Sequence, residues 1–228
     1  MVIRVIIPAY NEQDSIAKVI EAIPTFVSEI IVVNNASTDL TVTNAQKAGA
    51  TVLLENKMGY GYACLIGMAY ITNKKPDTDI VVFLDGDFSD FPEQMSDIVR
   101  PIINGNVDFV IGARVKDKRE TGSMTPQQVF GNALATFLMR LFFKSRFTDL
   151  GPFRAIRKTT LDQLNMEDKT YGWTVEMQLK VLKMGILYEE IPVSYRNRIG
   201  VSKVSGTVKG TIMAGYKILF WIFKYGLK

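Results

Sequence analysis

Asp85 and Asp87 stand two residues apart, directly after the apolar run IVVFL. Carboxylates repel one another and strands disfavour Asp, so the pair needs a reason. In extended backbone residues i and i+2 point the same way. Both side chains can therefore face one cation, with Gly86 letting the chain bend. A divalent cation held by one or two carboxylates, its remaining positions filled by water and phosphate oxygens, is the usual Mg²⁺ arrangement. The plainer alternative is a polar strand end and a turn.

A second cluster fits the first. Arg196, Arg198, Ser202 and Lys203 lie within eight residues, around Gly200. Guanidinium groups bind phosphate bidentately, and a lysine adds a point charge. Alone this is an ordinary basic loop; beside a carboxylate metal site it becomes a diphosphate clamp. Asn34, Asn35 and Asp39 could read a nucleobase edge, or form a turn and helix cap. Glu176, in the first turn of a helical stretch, could serve a helix dipole or act as a base. Gly59-Tyr60-Gly61 is not a dinucleotide fingerprint and reads as a tight strand-to-helix turn.

The chain has no histidine, so His-based triads, His general bases and most zinc sites are excluded. Any metal must be a hard, oxygen-ligated cation. The single cysteine, Cys64, allows no internal disulfide and points to a reducing compartment. The opening MVIRVIIPAYNE reads as mature structure rather than a targeting leader. The net charge of +4 is uneven: residues 191–228 hold seven cations and no acid, which leaves −3 for residues 1–190. A basic tail fits phosphate, nucleic acid or an anionic membrane surface.

The elements that must position these groups alternate. VIRVIIP, EIIVVN, ATVLLE, IVVFLD and DFVIGA read as strands. Helical patterns near 12–23, 40–47, 60–71 and 92–103 separate them. Strands this apolar between helices argue for an α/β protein with a mostly parallel central sheet and helices on both faces. Ligands of such sheets bind at the carboxyl ends of the strands. PAYNE, NNASTD, DGD and GAR all fall there. Further on, 129–144 is an apolar helix, 173–184 a helix, and LYEEIPVSYRNR a strand whose Pro192 indicates an edge. The last helix, about 208–225, places Lys209, Lys217 and Lys224 on one face. It is either a core helix with a solvated lysine stripe or a helix lying on a membrane. Its uncharged runs are far short of the ~20 residues that a membrane span needs.

The stretches IIPAYNE, VVNNASTD, DGDFSDFPE, GARV, DLGPFRAIRK, YGWTVEMQLKV and EIPVSYRNRIGVSKVSG occur in an order that resembles the inverting glycosyltransferases of the GT-A fold. Among these the chain looks most like the dolichyl-phosphate mannose synthase and polyprenyl-phosphate glucosyltransferase branch. The resemblance implies a catalytic domain over 1–206, divided into a nucleotide-sugar half (1–112) and an acceptor half with the phosphate loop (113–206). Residues 207–228 would form a basic amphipathic helix. Pro8, Tyr10 and Glu12 would line the nucleotide pocket, with Asn35 and Asp39 near base and ribose. Asp85 and Asp87 would hold Mg²⁺ or Mn²⁺ and, with Gly86, the donor diphosphate. Arg114 would face a donor or acceptor phosphate, Glu176 would sit beside the reacting centre, and Arg198, Ser202 and Lys203 would close over the phosphates. The catalytic set is thus Asp87, Arg114, Glu176 and Arg198.

The chain departs from the family pattern at Asn34 and Asn35, where Asp is frequent, and at Ser89, where other members place a stronger third ligand. The donor would be a UDP- or GDP-sugar and the acceptor a polyprenyl phosphate, which needs no general base. A hydroxyl acceptor would require Glu176 or Asp149. The resemblance places the enzyme at the cytoplasmic face of a membrane, peripheral or held by a separate membrane partner, with no nucleic acid. A nucleotidylyltransferase is disfavoured by PAYNE after the first strand, and a non-catalytic binding module by the intact carboxylate pair and clamp.

Overall fold

The structure, a computed structural model, describes residues 1–202 and 207–227. Seven strands form one sheet in the order β3-β2-β1-β4-β6-β5-β7. They are β1 (Ile3–Ala9), β2 (Glu29–Asn34), β3 (Thr51–Leu54), β4 (Ile80–Phe83), β5 (Phe109–Ala113), β6 (Arg154–Arg157) and β7 (Tyr188–Pro192). β1 pairs in parallel with β2 and β4, β2 with β3, and β5 with β7. β6 enters between β4 and β5 and runs antiparallel to both. Pro192 ends β7 at the sheet edge, the position its missing N–H favours.

Alternation divides the core. Ile6, Ile31, Val81 and Phe83 point to one face, and Val5, Ile7, Val32 and Val82 to the other. The first face is covered by α3 (Tyr60–Thr72), α5 (Pro126–Phe143), α7 (Trp173–Lys183) and α8 (Val208–Gly226). The second is covered by α1 (Ile16–Ala22), α2 (Thr41–Lys47) and α4 (Met95–Ile103). A short α6 (Lys158–Leu164) follows β6.

Several boundaries differ from the sequence reading, for local reasons. α1 begins at Ile16 rather than Glu12, because Asn11 is left-handed and the Glu12 carbonyl accepts from the Ser15 and Ile16 amides. α5 begins three residues earlier than Val129. Thr125 and Gln128 form a reciprocal capping box, with Pro126 in the first turn. The bend after the Asp pair falls at Phe88 (φ 61°), not at Gly86. Gly86 has room for a Cβ at ordinary contact distances.

Helix α8 packs against α5 and α7. Lys217 and Lys224 lean inward, 3.5 Å from Asp168 and Glu167 respectively. Its outward stripe is apolar: Val208, Ile212, Tyr216 and Phe220, at spacing four, are all exposed. α5 carries a parallel case in Phe130 (70% exposed), Phe137 (58%) and Leu141 (64%). Of the three lysines read as one face, Lys217 and Lys224 thus pair with acids of the loop ahead of α7, while Lys209 at the helix start is exposed. Among the described residues no helix is long and apolar enough to cross a membrane.

Candidate active site

The carboxyl ends of β1, β2 and β4 surround a cleft of about 280 Å³. Nine residues singled out by type and spacing or by the resemblance line it together: Pro8, Tyr10, Glu12, Asn35, Asp85, Gly86, Asp87, Arg198 and Ser202. Ala9, Met58, Gly59, Tyr60, Thr170 and Tyr171 complete the wall. The non-glycine residues Asn11, Ala36 and Phe88 adopt left-handed φ of 53°, 63° and 61° in the three loops that follow these strands. Such backbone costs energy, and it concentrates where loops are shaped for ligands.

The two aspartates differ in environment. Asp85 Oδ1 is buried and has no hydrogen-bond partner among the described residues. Burial and then the charge of Asp87 push the Asp85 carboxyl up to about 6, against a hydrogen bond from the Tyr60 hydroxyl and the fields of Arg198 and Arg114. Asp87 is better supplied. Its Oδ1 accepts from the Ser89 amide at 2.9 Å and from the Ser89 hydroxyl. Its Oδ2 lies 3.1 Å from Arg198. Ser89, the doubtful third-ligand position, thus orients Asp87. Arg198 also donates to Glu12 at 2.9 Å, which spans the cleft from the β1 loop to the 194–202 segment.

That segment is fastened to the Asp85–Asp90 loop. The Arg196 amide donates to Ser89 O and the Ile199 amide to Asp87 O. The Arg196 guanidinium lies between the Phe88 and Phe91 rings, 3.7 and 3.9 Å from their centroids. Arg196 is therefore the fastening and Arg198 the residue presented to the cleft. Lys203 lies outside the described residues.

Asn35 lines the cleft yet spends its amide on the protein. Its Oδ1 accepts from the Gly59 amide, and its Nδ2 donates to the carbonyls of Glu55 and Lys57. A carboxylate here would face two carbonyls, which is why an amide serves. Asp39 does not line the cleft. It accepts from the Gln13 and Thr41 amides and ties the loop after β2 to the loop after β1.

Arg114 lines a second cavity of about 470 Å³. Lys116, Arg119 and Arg140 supply further cations, and Val129, Ala133 and Phe137 of α5 an apolar side. Asp149 holds Arg114 bidentately, with Nε–Oδ2 and Nη2–Oδ1 both 2.7 Å, and also accepts from the Arg114 amide. Burial would raise the Asp149 carboxyl, but Arg114 and the backbone amides outweigh it and hold it below the usual carboxylate range.

Glu176 requires a correction. It is fully buried, and it does not line the cleft. Its two oxygens accept from the amides of Glu167 and Asp168, each at 2.8 Å, and Lys180 pairs with it at 2.8 Å. It staples the loop ahead of α7. The expectation placed it beside the reacting centre; instead its accepting capacity is taken up by those two amides and Lys180.

Sequence reasoning passed over four contributors. Tyr60 sits inside the glycine pair that reads as a plain turn. Thr170 and Tyr171 come from a loop with no distinguishing pattern. Arg154 is fully buried in β6, its guanidinium donating to the carbonyls of Leu150, Gly151 and Thr174. Burial pushes it down to about 10, while nearby acids including Asp149 and Asp85 hold its proton on. A lone arginine inside an apolar strand, as in FRAI, was the available signal.

A mostly parallel sheet, a cleft at the strand ends and a carboxylate pair at its rim define a GT-A transferase fold. The match to known proteins agrees. Residues 4–164 fit the model described as glycosyl transferase family 2. An uncharacterized glycosyltransferase of Mycobacterium tuberculosis is 32% identical over 214 residues, 93% of this chain and 94% of its own length. An undecaprenyl-phosphate mannosyltransferase of Micrococcus luteus is 29% identical over 226 residues, 92% and 90% of the two chains. The glucosyl-3-phosphoglycerate synthase of Mycobacterium tuberculosis, crystallised with Mn²⁺, UDP and glucosyl-3-phosphoglycerate, superposes with a TM-score of 0.76 at 20% identity, covering 99% of this chain and 80% of its own. The chain belongs to glycosyltransferase family 2 and is a transferase with the GT-A fold.

Proposed function

We propose that the protein transfers a hexose, with inversion, from a UDP- or GDP-sugar to a polyprenyl phosphate at the cytoplasmic membrane surface, either peripherally or beside a membrane partner. The observation that carries this reading is the cationic cavity at Arg114. Arg114, Lys116, Arg119 and Arg140 line it, and so do Val129 and Phe137, which belong to the exposed apolar surface of α5. A phosphate bearing a long hydrocarbon fits a site that is basic at its base and apolar along one side. The outward apolar stripes of α5 and α8 supply the surface that a bilayer would cover.

The acceptor chemistry agrees with the carboxylates. A phosphate monoester has a second pKa near ~6 and is largely ionised at neutral pH, so it attacks without a general base. Asp149 is locked to Arg114 and Glu176 to backbone, so neither is poised to take a proton.

On the donor side Asp85 and Asp87 fit a hard cation: both present oxygen, and Asp85 Oδ1 is a buried acceptor without a partner among the described residues. Mg²⁺ or Mn²⁺ held there would neutralise the leaving diphosphate. Pro8, Tyr10, Glu12 and Asn35 shape the nucleotide end, and Gly86 and Ser202 border the diphosphate, with Lys203 assigned to the same closing loop. Asp39 contributes by holding the β1 and β2 loops together. Arg198 leaves its pairs with Asp87 and Glu12 and turns to the diphosphate, where its charge stabilises the departing oxygen. In this division 1–112 supplies the donor half and 113–206 the acceptor half, while 207–228 meets the membrane.

The test is transfer from UDP- and GDP-hexoses in Mn²⁺ to polyprenyl phosphate, to the dephosphorylated polyprenol and to 3-phosphoglycerate. Glycolipid formed only with the phosphorylated lipid is expected. The basic cavity also suits a small phosphorylated acid. Transfer to 3-phosphoglycerate, or equal transfer to polyprenol, would overturn the lipid-phosphate reading.

A further inference from the structure

Helix α8 and the loop ahead of α7 meet at one buried carboxylate. Asp168 is 3% exposed. Its Oδ1 accepts from the amides of Thr170 (2.7 Å) and Gly172 (3.0 Å), which folds the loop back on itself. Its Oδ2 accepts from the indole Nε1 of Trp221 at 2.7 Å. Lys217 lies 3.5 Å from the same oxygen. A Cβ added at Gly172 would come within 2.4 Å of the Trp221 indole, so glycine is what lets the ring reach the carboxylate.

The other end of the loop leans on the start of α3. The Lys169 carbonyl accepts from the Tyr62 amide at 3.0 Å. Cβ atoms at Gly59 and Gly61 would lie 2.2 and 2.1 Å from the carbonyls of Lys169 and Asp168. Between these two anchorages Thr170 and Tyr171 form one wall of the donor cleft.

We propose that Asp168 and Trp221 form a positioning latch through which the C-terminal helix sets the donor wall at Thr170 and Tyr171. This rests on reading the cleft as the nucleotide-sugar site. Neither latch residue lines the cleft, so both act through the loop. The helix that carries Trp221 inward carries the apolar stripe of Val208, Ile212 and Tyr216 outward. Whatever seats that stripe therefore bears on the donor wall, and donor affinity depends on how α8 is held.

The experiment is Trp221→Phe in the full chain. It keeps an aromatic ring in the core and removes the N–H donor. Binding of UDP and GDP with Mn²⁺, without acceptor, is measured by calorimetry well below the melting temperature. Hydrogen exchange at the Thr170 and Gly172 amides is followed in parallel. The latch predicts that Kd weakens by about tenfold, as for loss of one hydrogen bond to a charged group, and that both amides exchange faster. Unchanged Kd and unchanged exchange in a folded variant overturn the latch alone. A wild-type protein that binds neither nucleotide overturns the donor reading, and the latch with it. If Trp221→Phe does not fold, Lys217→Met is read in the same way. Weaker nucleotide binding then supports the latch, and wild-type binding overturns it.

Discussion

The cleft at the strand ends and the cavity at Arg114 treat their acids in opposite ways. At the strand-end cleft, Asp85 has a buried oxygen unpartnered among the described residues, and its carboxyl is pushed up to about 6. At the second cavity Asp149 is saturated by Arg114, and Glu176, which lines neither cavity, is saturated by two amides and Lys180. An unsatisfied buried acceptor costs free energy and persists where a ligand repays it. A saturated one is scaffold. Carboxylates of equal prominence in the sequence are thereby sorted into ligands and struts.

The largest effect that probes this contrast is Asp87→Asn. It should lower turnover by at least about 10²-fold, as loss of a transition-state charge contact does, with the circular dichroism spectrum unchanged. Near-normal nucleoside diphosphate release by the folded variant would remove the Asp pair from the site. Asp149→Asn should act on stability instead. Leaving Arg114 buried without its partner costs about 3–5 kcal/mol, read as a lower denaturant midpoint. The matching change Asp85→Asn should leave the midpoint unchanged or raised, because it removes a poorly compensated charge. If both variants are destabilised alike, the contrast between the two regions fails.

Titration sharpens the same point. The Asp85 carboxyl is raised in the folded protein, from 3.8 to about 6, so the native state holds this proton more tightly than the unfolded chain. Its contribution to stability therefore grows as pH falls from about 6 toward 4 and is lost as pH rises through 6. Cation binding has the opposite sense, since the proton competes for the same oxygens. Mn²⁺ affinity should drop as pH falls below about 6, measurable by calorimetry across that range. Flat affinity between pH 7 and 5 would contradict the burial of Asp85. The smallest effect is expected at Glu176→Gln. Replacing one accepting oxygen by an amide donor should cost about 1–3 kcal/mol of stability and change turnover less than tenfold. A 10³-fold loss of turnover at unchanged stability would return Glu176 to the reacting centre.

Much of the strand-end cleft was legible in the chain. Its strands are short apolar runs, and the residues that follow them are turn formers and acids with local reasons to be there. Strand ends on one sheet edge bring such loops together whatever the details of packing. The second half of the chain was less legible. β6 enters antiparallel between β4 and β5, a placement that no local pattern encodes. Tyr60 was hidden by the glycines around it, and Thr170 and Tyr171 by a loop without periodicity. α8 was legible as amphipathic but not in orientation, since a two-faced helix does not say which face is covered. Only contact with Asp168 and Glu167 turns Lys217 and Lys224 inward and leaves the aromatic stripe outside.

The sequence by itself determined the chemistry on offer: no histidine, oxygen ligands for a hard cation, two acids at a strand end, a basic segment to meet phosphate. Those are properties of residue type and near-neighbour spacing, which survive any folding detail. Tertiary structure alone decided which acids remain available, because saturation depends on partners from distant parts of the chain. Asp149 meets Arg114 from 35 residues away, and Asp168 meets Trp221 from 53. Among the described residues Asp85 sets a Tyr60 hydrogen bond and the fields of Arg198 and Arg114 against its burial, and its Oδ1 has no partner.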